Sequence, residues 1–502
     1  MLVGVVVVAL SLASVAPAAL AVDRFVFHGA GLGHGIGMSQ YGAFGLSLKG
    51  WSGQRIVRYY YTGVRVTQRQ APKGRYRVGL LQDRGAVTFV AAEGGYSIRL
   101  ADGTLIEEVP EGASRKVRVT ADRAFVVKSG SETVGGQEWG GPGNPLRVRY
   151  ESAVVRVPEW GYSVGRGFLE LVAAAPNGGH LVVVVPAEPY LYGLGEVPSS
   201  WPTGALEAQA IAARTYAYRI VGASSKEGCA CDILGDTRDQ TYTGWDKETA
   251  EGGGRWVRAV DRTDRKVALY RGDPITAYYS SSSGGFTENV ENVWGGSPEP
   301  YLKGKCDPGD FTVANPNRVW TQELNATQVA DRLSNPEGME RASKIEVLDR
   351  GVSGRIVTAR IVGRTRNGTV VAVQRDGWSL RGDLDLGDSR VWINTNRNVT
   401  GDIRARYDRM RCRPGLATTN QKTISGGRWQ GFDGGRLYEN RDADRVFWLH
   451  GAVLDTYVQR GAHTSGLRLP TSDVERLKGG GTRATFQGGT ITCPASGTCR
   501  VT

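Results

Sequence analysis

The chain has 502 residues, of which 70 are Gly and 20 are Pro, and its formal net charge is +12. The absence of a Gly-x-y period excludes collagen, and 40% hydrophobic with 22% charged residues excludes a disordered polyelectrolyte. The positive charge favours an anionic partner, such as nucleic acid, acidic wall polymers or lipid headgroups. The many glycines predict short strands joined by turns rather than long helical bundles, and the length allows two to four domains.

The first 21 residues carry no charged side chain. An apolar run from Leu2 to Ala13 has the length of a signal-peptide core, and Ala19-Leu20-Ala21 supplies a small-residue cleavage pattern. We therefore predict a signal peptide over residues 1–21 and an exported protein. Export argues against a nucleic-acid partner, and we expect none.

A glycine-dense segment, HGAGLGHGIGMSQYGA, follows at His28 to Ala43. Glycines allow the backbone to approach another group closely, and His34, Ser39 and Gln40 add polar side chains. The segment lacks the strand–turn–helix context of a phosphate-binding loop. Its simpler interpretation is a buried turn with a hydrogen-bonded His.

Alternating apolar and polar runs over residues 75–190 predict antiparallel strands, and residues 265–302 and 343–380 return to that pattern. Residues 203–222 predict the clearest helix, with Thr203 as its N-cap and a small Ala face that would pack against a sheet. Residues 318–333 also predict a helix. Together these patterns predict a strand-rich α+β fold.

One carboxylate stands out between the strands and the helix. Glu196 has the mostly apolar neighbours Leu194, Val197, Pro198 and Trp201. Desolvation by such groups raises the pKa of a carboxyl, which suits a general acid. The plainer alternative is an exposed loop Glu. Further on, AYYSSSSGGFTENVENVW at Ala277 to Trp294 forms a polar segment without the G-x-S-x-G pattern of a serine hydrolase.

Six cysteines in an exported chain suggest disulfides, although six allow 15 connectivities. Cys493 and Cys499 flank a turn and are suited to a small loop. Cys229 and Cys231 are suited either to a tight bridge or to half of a metal site, and no His lies near them. We predict no zinc.

After about residue 415 the pattern changes to an internal repeat of about one and a half copies. The two copies are aligned on RWQGFDGG and RATFQGG, in which Phe432 and Phe486 occupy equivalent positions. A turn from Gly466 to Pro470 lies between them. A repeat of this period suggests a stacked module.

Three segments together resemble the stage II sporulation protein D family of peptidoglycan enzymes: GHGIGMSQYGA, GEVPSSWP followed by EAQAIAARTYA, and SSSSGGFTENVENVW. The resemblance covers roughly residues 25–400. It implies a lytic transglycosylase that cleaves glycan strands between N-acetylmuramic acid and N-acetylglucosamine with a 1,6-anhydro product. The tail resembles LGFP cell-wall repeats. We therefore divide the chain into a signal peptide at 1–21, a sporulation protein D-like catalytic domain at 22–415 and an LGFP-like module at 420–502.

The resemblance has two departures. Many relatives carry the glycine-rich segment near the end of the domain, whereas here it comes first, which resembles a circular permutation. Some relatives bind zinc through Cys and His after the Ala-rich helix, whereas CACDILGDTRDQTY has no His. This difference supports the expectation of no metal and no cofactor.

The implied chemistry assigns Glu196 as general acid and base, with no obvious second carboxylate beside it. Lytic cleavage needs only one such group, because the muramic 6-hydroxyl is the nucleophile, whereas hydrolysis normally uses two. The candidate substrate-binding residues are His34, Gln40, Gln209, Arg214, Tyr216, Ser282 and Thr287. The expected partners are peptidoglycan glycan strands, anionic wall polymers and a cell-wall amidase, and the expected location is the cell wall.

Two rival functions remain open from the sequence. The first is a non-catalytic glycan-binding enhancer of a cell-wall amidase, which the family also implies. The second is a metal-dependent hydrolase centred on Cys229 and Cys231. The glycines Gly31, Gly33, Gly35, Gly37, Gly284 and Gly285 are expected to approach a sugar chain closely.

Overall fold

A computed structural model describes residues 23–223, 226, 228–333, 337–478 and 480–502. The predicted signal peptide at 1–21 lies outside the described residues and stays a prediction. Within the part of the chain that is described, no helix has both the length and the hydropathy required to cross a bilayer.

The fold is a strand-rich α+β arrangement whose two largest sheets occupy the region predicted as antiparallel strands. The seven-stranded sheet has the order Ile233–Leu234, Arg75–Arg84, Gly178–Pro186, Phe168–Ala175, Leu146–Arg149, Tyr96–Leu100, Leu105–Val109. The six-stranded sheet has the order Glu132–Thr133, Phe125–Ser129, Ser114–Val119, Ala86–Glu93, Val154–Val157, Tyr162–Val164. Gly178–Pro186 is buried along nearly its whole length, as its unbroken Val run requires.

The Ala-rich helix Thr203–Val221 forms where the sequence predicts it. It packs against the helices Gln40–Leu48, Gly53–Tyr60 and Gly253–Arg262 as well as the strand Lys266–Tyr270, so it is enclosed on several sides rather than laid on a sheet. The N-cap prediction is wrong: Thr203 is already helical, and Pro202 occupies the cap position without a side-chain hydrogen bond. The remaining α-helices of the described residues are Ala187–Tyr192, Trp245–Thr249, Val290–Trp294, Ala326–Arg332, Gly377–Asp383, Gly401–Arg409 and Gly451–Gln459.

The first strand brings the glycine-rich segment among elements from late in the chain. Arg24–Gly29 pairs with Trp320–Asn325 and with Val391–Ile393, both antiparallel. The helix predicted over 318–333 is therefore correct only from Ala326, because the preceding residues are recruited into this sheet. A capping box between Asn325 and Gln328 begins the helix.

Three smaller sheets lie in the part of the chain before the C-terminal region. Met38–Ser39 pairs in parallel with Tyr279–Ser280, which joins the glycine-rich and serine-rich segments directly. The two others are three-stranded, with the orders Asp273–Pro274, Lys266–Tyr270, Arg65–Gln68 and Arg341–Arg350, Ile356–Arg364, Val370–Asp376.

The C-terminal region contains two four-stranded antiparallel sheets, each with its strands in chain order. The first consists of Lys422–Ile424, Gly427–Phe432, Gly435–Asn440 and Arg445–Leu449, and the second of Glu475–Arg476, Thr482–Phe486, Gly489–Cys493 and Arg500–Val501. Tyr407 stacks on Phe432 at 5.2 Å between ring centroids, and Tyr457 stacks on Phe486 at 4.6 Å. The two Phe residues thus have equivalent neighbours, each supplied by the helix that precedes its sheet. Packing continues across residue 420, since Gly401–Arg409 contacts the first sheet.

All six cysteines form disulfides: Cys229 with Cys231, Cys306 with Cys412 and Cys493 with Cys499. Cys306–Cys412 connects positions 106 residues apart and ties the serine-rich region to the helix Gly401–Arg409. Among the described residues, Cys306, Asp408 and Cys412 form one group with metal-like spacing, but the two sulfurs are bonded to each other.

Candidate active site

Glu196 lies in the turn between the helices Ala187–Tyr192 and Thr203–Val221. This turn pairs with residues 241–244: the Gly195 amide donates to the Thr241 carbonyl at 2.9 Å and the Thr243 amide donates to the Gly193 carbonyl at 2.8 Å. A Cβ at Gly193 would lie 2.5 Å from the Tyr242 ring. The glycine therefore permits the close pairing that fixes Glu196.

The Glu196 carboxyl is held by three neighbours. Its Oε1 accepts from the Thr241 amide at 2.6 Å, and the Gln40 Nε2 lies 3.5 Å from its Oε2. The third neighbour is Tyr279, whose side chain also forms a hydrogen bond to the carboxyl. Desolvation by the surrounding protein raises the pKa of Glu196 to about 7, although the three hydrogen bonds and the charge of Lys247 each lower it. A carboxyl with this pKa exchanges its proton readily near neutrality, as an acid and base must.

A chain of hydrogen bonds orients the Tyr279 hydroxyl toward this carboxyl. Tyr190 donates to the Gln240 Oε1 at 2.9 Å, and the Gln240 Nε2 donates to the Tyr279 hydroxyl oxygen at 2.9 Å and to the Ala213 carbonyl at 3.2 Å. Because the Tyr279 oxygen accepts from Gln240, its own proton is free for Glu196. Gln240 is fully buried and serves as a positioning residue.

A buried cation, Lys247, lies beneath the same turn. The Lys247 Nζ donates to the Val197 carbonyl at 2.5 Å. Burial lowers the pKa of Lys247 to about 8, opposed by the charge of Glu196. Lys247 thus anchors the residue next to Glu196 and favours the ionised form of its carboxyl.

The Glu196 side chain borders an open cleft of about 760 Å³. Tyr278, Trp294, Trp378 and the His34 imidazole line it, with Tyr278 and Trp294 4.8 Å apart and Trp294 and Trp378 6.1 Å apart between ring centroids. Trp294 is 40% exposed, which leaves much of its surface open to a ligand. An aromatic wall beside a polar floor can hold the apolar faces and the hydroxyls of sugar rings.

His34 contributes to the cleft as a neutral ring. Its Nδ1 accepts from the Ile36 amide at 3.0 Å, and its Nε2 lies 3.0 Å from the Tyr279 carbonyl oxygen, so the proton is on Nε2. Burial lowers the pKa of His34 to about 3. Both ring nitrogens are occupied by backbone, and the ring rather than a nitrogen faces the cleft.

Gln40 and Tyr216 also line the cleft, whereas Gln209 is buried behind Gln40. The Gln40 Nε2 lies 3.5 Å from the Gln209 Oε1, so Gln209 is placed to orient Gln40 rather than to touch a ligand. Three of the seven candidate binding residues, His34, Gln40 and Tyr216, are therefore brought together at the cleft with Glu196.

The structure places the other three candidates elsewhere. Arg214 is buried, forms a bidentate ion pair with Glu188 and donates to the Val260 carbonyl, so its guanidinium is fully used inside the protein. Ser282 donates to the buried Asp310 at 2.9 Å. The Thr287 hydroxyl lies 3.4 Å from the Lys305 carbonyl. None of the three lines the cleft.

The glycine-rich segment supports the cleft from below. A Cβ at Gly35 would lie 2.1 Å from the Arg355 guanidinium carbon, and one at Gly37 would lie 2.2 Å from the Tyr278 carbonyl. Both glycines have φ of +69°. The close approach of Gly35 and Gly37 is to the protein itself, which differs from the expectation of direct contact with a sugar chain, whereas Gly33 lines the cleft.

A second carboxylate, Asp239, lines the same cleft, which the sequence analysis did not anticipate beside Glu196. Asp239 accepts from the Tyr216 hydroxyl and the Leu234 amide, both at 2.8 Å, and pairs with Lys226. With three donors its oxygens are already engaged, so it is poorly suited to activate water.

Sequence reasoning missed Asp239, Gln240, Tyr279, Trp378 and Arg381 as parts of the site. The first two lie inside CACDILGDTRDQTY, and Tyr279 lies inside the segment Ala277 to Trp294. Both stretches attracted attention as sequences, but neither pattern shows which of its side chains reach Glu196. Trp378 and Arg381 carry no comparable signal, because they come from a helix outside those motifs.

A comparison with protein families falls on this part of the chain. Residues 177–270 match a protein-family model described as Stage II sporulation protein. That range holds Glu196, Asp239, Gln240 and Lys247. The family comparison therefore supports the resemblance to the stage II sporulation protein D family.

Three curated proteins are similar to part of this chain. Stage II sporulation protein D of Bacillus subtilis (strain 168) is 32% identical over 200 residues, covering 37% of this chain and 56% of the relative. That of Bacillus amyloliquefaciens is 28% identical over 214 residues, covering 40% and 57%. The amidase enhancer of Bacillus subtilis (strain 168) is 38% identical over 134 residues, covering 27% and 16%. The chain spans between 16% and 57% of the length of these relatives.

The electrostatics of Glu196 give a prediction for Tyr279→Phe. The substitution removes a hydrogen bond that lowers the pKa of Glu196, so the pKa rises and the carboxyl stays protonated to higher pH. If Glu196 acts as an acid, wild-type turnover falls above pH about 7 and the falling limb of Tyr279→Phe moves to higher pH. The measurement is kcat against pH.

The matched control is Tyr278→Phe, which removes a hydroxyl from the same cleft without removing a hydrogen bond to Glu196. The kcat of Tyr278→Phe is expected to fall over the same pH range as that of the wild type, whether or not its maximum value changes. Equal shifts in both variants would contradict the role assigned to Tyr279.

Proposed function

We propose that the protein is an exported lytic transglycosylase that cleaves peptidoglycan glycan strands between N-acetylmuramic acid and N-acetylglucosamine. The observation that carries the proposal is the Glu196 carboxyl, with a pKa near 7, at the edge of an open cleft walled by aromatic rings. The similarity of this region to stage II sporulation proteins supports it.

In the first half of the proposed reaction, protonated Glu196 donates its proton to the glycosidic oxygen. The bond between this oxygen and C1 of the muramic residue breaks, and the N-acetylglucosamine end leaves as an alcohol. The carboxylate left behind is stabilised by the Thr241 amide and by Tyr279, with the Lys247 charge nearby. Positive charge that develops at C1 favours this ionised state.

In the second half, the Glu196 carboxylate accepts the proton of the muramic 6-hydroxyl. At the same time, the oxygen of this 6-hydroxyl forms a bond to C1 of the same residue. The product is a 1,6-anhydro ring, and Glu196 is protonated again. One residue thus serves both steps. The three donors to Asp239 support a mechanism with one catalytic carboxyl, because they leave no second free carboxylate among the described residues that line the cleft.

Arg381 is the cation best placed for the carboxylate of a muramic residue. It lines the cleft and lies 4.8 Å from the Trp378 ring centroid, while its Nε donates to the Gly387 carbonyl at 3.0 Å. Arg214, a candidate substrate-binding residue from the sequence, is not available for this role, because its guanidinium is bound internally.

The deciding experiment is digestion of purified glycan strands, with and without stem peptides, followed by mass spectrometry of the products. We expect 1,6-anhydromuramoyl ends. Reducing muramic ends would indicate hydrolysis and contradict the proposal, and so would a lack of any cleavage of either substrate.

The second candidate function is a non-catalytic glycan-binding enhancer of a cell-wall amidase, favoured by the similarity to a protein named amidase enhancer. It uses the same cleft for binding alone. It predicts stimulation of a purified cell-wall amidase that persists in Glu196→Gln, with no anhydro product from the wild type. The C-terminal sheets, as LGFP-like repeats, would hold either activity at the wall.

A further inference from the structure

A second concave surface lies far along the chain from Glu196, where the first domain meets the C-terminal sheets. We call it the arginine groove and define it by Arg406, Arg409, Arg411, Arg413, Trp448 and His450, which line a cleft of about 710 Å³. It shares no lining residue with the cleft of Glu196. A role for the arginine groove is therefore independent of the function proposed for the cleft of Glu196.

Local structure concentrates the charges in this groove. Arg406 and Arg409 lie three residues apart on the helix Gly401–Arg409, so they are neighbours on its surface. Arg411 and Cys412 then take φ values of +53° and +52°, and the Cys306–Cys412 disulfide fixes this turn. The turn presents Arg411 and Arg413 beside the helix end.

The charges of the groove are not balanced within the protein. Its one acidic lining residue, Asp473, is already paired with Arg406 and accepts from the Trp448 amide at 2.7 Å. Arg409, Arg411 and Arg413 are exposed, and none has a carboxylate within ion-pair distance among the described residues. Three guanidinium groups without anions form a surface that attracts negative charge.

A neighbouring cleft extends this charge beyond one small anion. It has a volume of about 650 Å³, shares Arg409 and Arg411 and adds Lys49 and Arg318, while its acidic residue Asp408 is paired with Arg404. A cleft of about 540 Å³ on the other side is not a further basic surface, because it also holds Asp402, Glu439 and Asp444. The shared Arg409 and Arg411 therefore join two basic clefts, which suits a linear polymer better than a single phosphate.

The wall of the groove adds a feature that charge alone does not explain. Trp448 and His450 stack at 5.8 Å between ring centroids and both line the cleft. Trp448 is only 9% exposed, so the half-buried His450 ring presents most of this aromatic surface. Such a ring can contact the carbon face of a sugar or polyol between acidic groups. We propose that the arginine groove binds a linear anionic polymer whose carboxylate or phosphate groups recur along a sugar or polyol chain.

The test uses the full chain and two probes that distinguish the acidic group, an oligogalacturonate and a poly(glycerol phosphate) oligomer. Binding is measured by calorimetry for the wild type and for Arg409→Gln/Arg411→Gln/Arg413→Gln. These side chains have no partner to lose, so folding is preserved. We expect the dissociation constant of at least one probe to rise by about 10-fold or more, with a shallower salt dependence.

The matched control is Arg84→Gln/Arg118→Gln/Arg156→Gln, which removes the same charge from exposed positions on the two large sheets. Its dissociation constants are expected to stay within about twofold of wild type. Equal weakening in both triple variants, or no binding of either probe, would overturn the proposal. A neutral chitin oligomer or a DNA duplex that binds more tightly than both probes would overturn it as well.

Discussion

Glu196→Gln is expected to lower the formation of 1,6-anhydro ends by about 10²- to 10⁴-fold. Gln is nearly isosteric and keeps an oxygen that can accept from the Thr241 amide, but it neither donates a proton to the glycosidic oxygen nor accepts one from the 6-hydroxyl. Both proposed steps lose their proton carrier. The measurement is the initial rate of anhydro-end formation from purified glycan strands, by mass spectrometry.

Two controls separate chemistry from binding and folding. Glu207→Gln changes the other Glu of the same region, on the helix Thr203–Val221 and outside the cleft, and is expected to keep near wild-type turnover. Glu196→Gln should still bind glycan, because the aromatic wall is unchanged. An unchanged rate in Glu196→Gln would remove Glu196 from the reaction. A matched fall in Glu207→Gln would point to a general structural effect.

The carboxyl of this site was predictable because its signal is local. Leu194, Val197 and Trp201, which are close to Glu196 in the sequence, are buried, and desolvation by the surrounding protein is the largest cause of the raised pKa of Glu196. Its hydrogen-bonding partners were not predictable in the same way. Thr241 and Tyr279 lie 45 and 83 positions away, and only the folded chain brings them to the carboxyl.

Residue type alone misdirected two of the binding assignments. Arg214 lies on a helix that is buried on several faces, and helical periodicity cannot tell which face meets a cleft and which meets Glu188. Ser282 lies within a polar run, yet its hydroxyl supports Asp310 inside the protein while Ser281, its neighbour, lines the cleft. In both cases the deciding information is a long-range partner.

The same difference between local signals and long-range partners applies to the fold. Period-two patterns predicted the strands over residues 75–190, since alternation is a local property. The first part of the predicted helix at 318–333 was wrong, because Trp320–Asn325 is recruited by a strand almost 300 residues earlier. A different long-range pairing, of Met38–Ser39 with Tyr279–Ser280, places the glycine-rich segment beside the serine-rich one.

The buried ion pair beneath the glycine-rich segment leads to the second large expected effect, on stability. Arg355 and Asp388 are both fully buried and lie 2.7 Å apart. The Arg355 guanidinium also donates to the carbonyls of Phe286 and Ser283 at 2.8 and 3.0 Å. One side chain thereby joins the glycine-rich segment, the serine-rich segment and the late strand region, which are far apart in the sequence.

Arg355→Met is expected to lower the free energy of unfolding by about 3–5 kcal/mol. Met fills much of the space but leaves Asp388 charged, buried and without its cation, and leaves two carbonyls without donors. The measurement is the urea unfolding midpoint of the first transition. Arg24→Met, which breaks the exposed pair with Glu323, is the matched control and is expected to cost less than about 1 kcal/mol.

The pH dependence identifies the cause. Burial already raises the pKa of Asp388, and Arg355 lowers it, so the pKa of Asp388 in Arg355→Met rises further above its value in the unfolded chain. A folded-state pKa above the unfolded one means that the folded protein gains stability as pH falls and loses it as pH rises through the folded pKa. The deficit of Arg355→Met should therefore shrink at acidic pH. Arg355→Met/Asp388→Asn leaves no charge to bury, so it should be more stable than Arg355→Met at neutral pH and lack this additional dependence. A deficit in Arg355→Met that is the same at all pH values would show that lost packing, not the unpaired carboxylate, destabilises the protein.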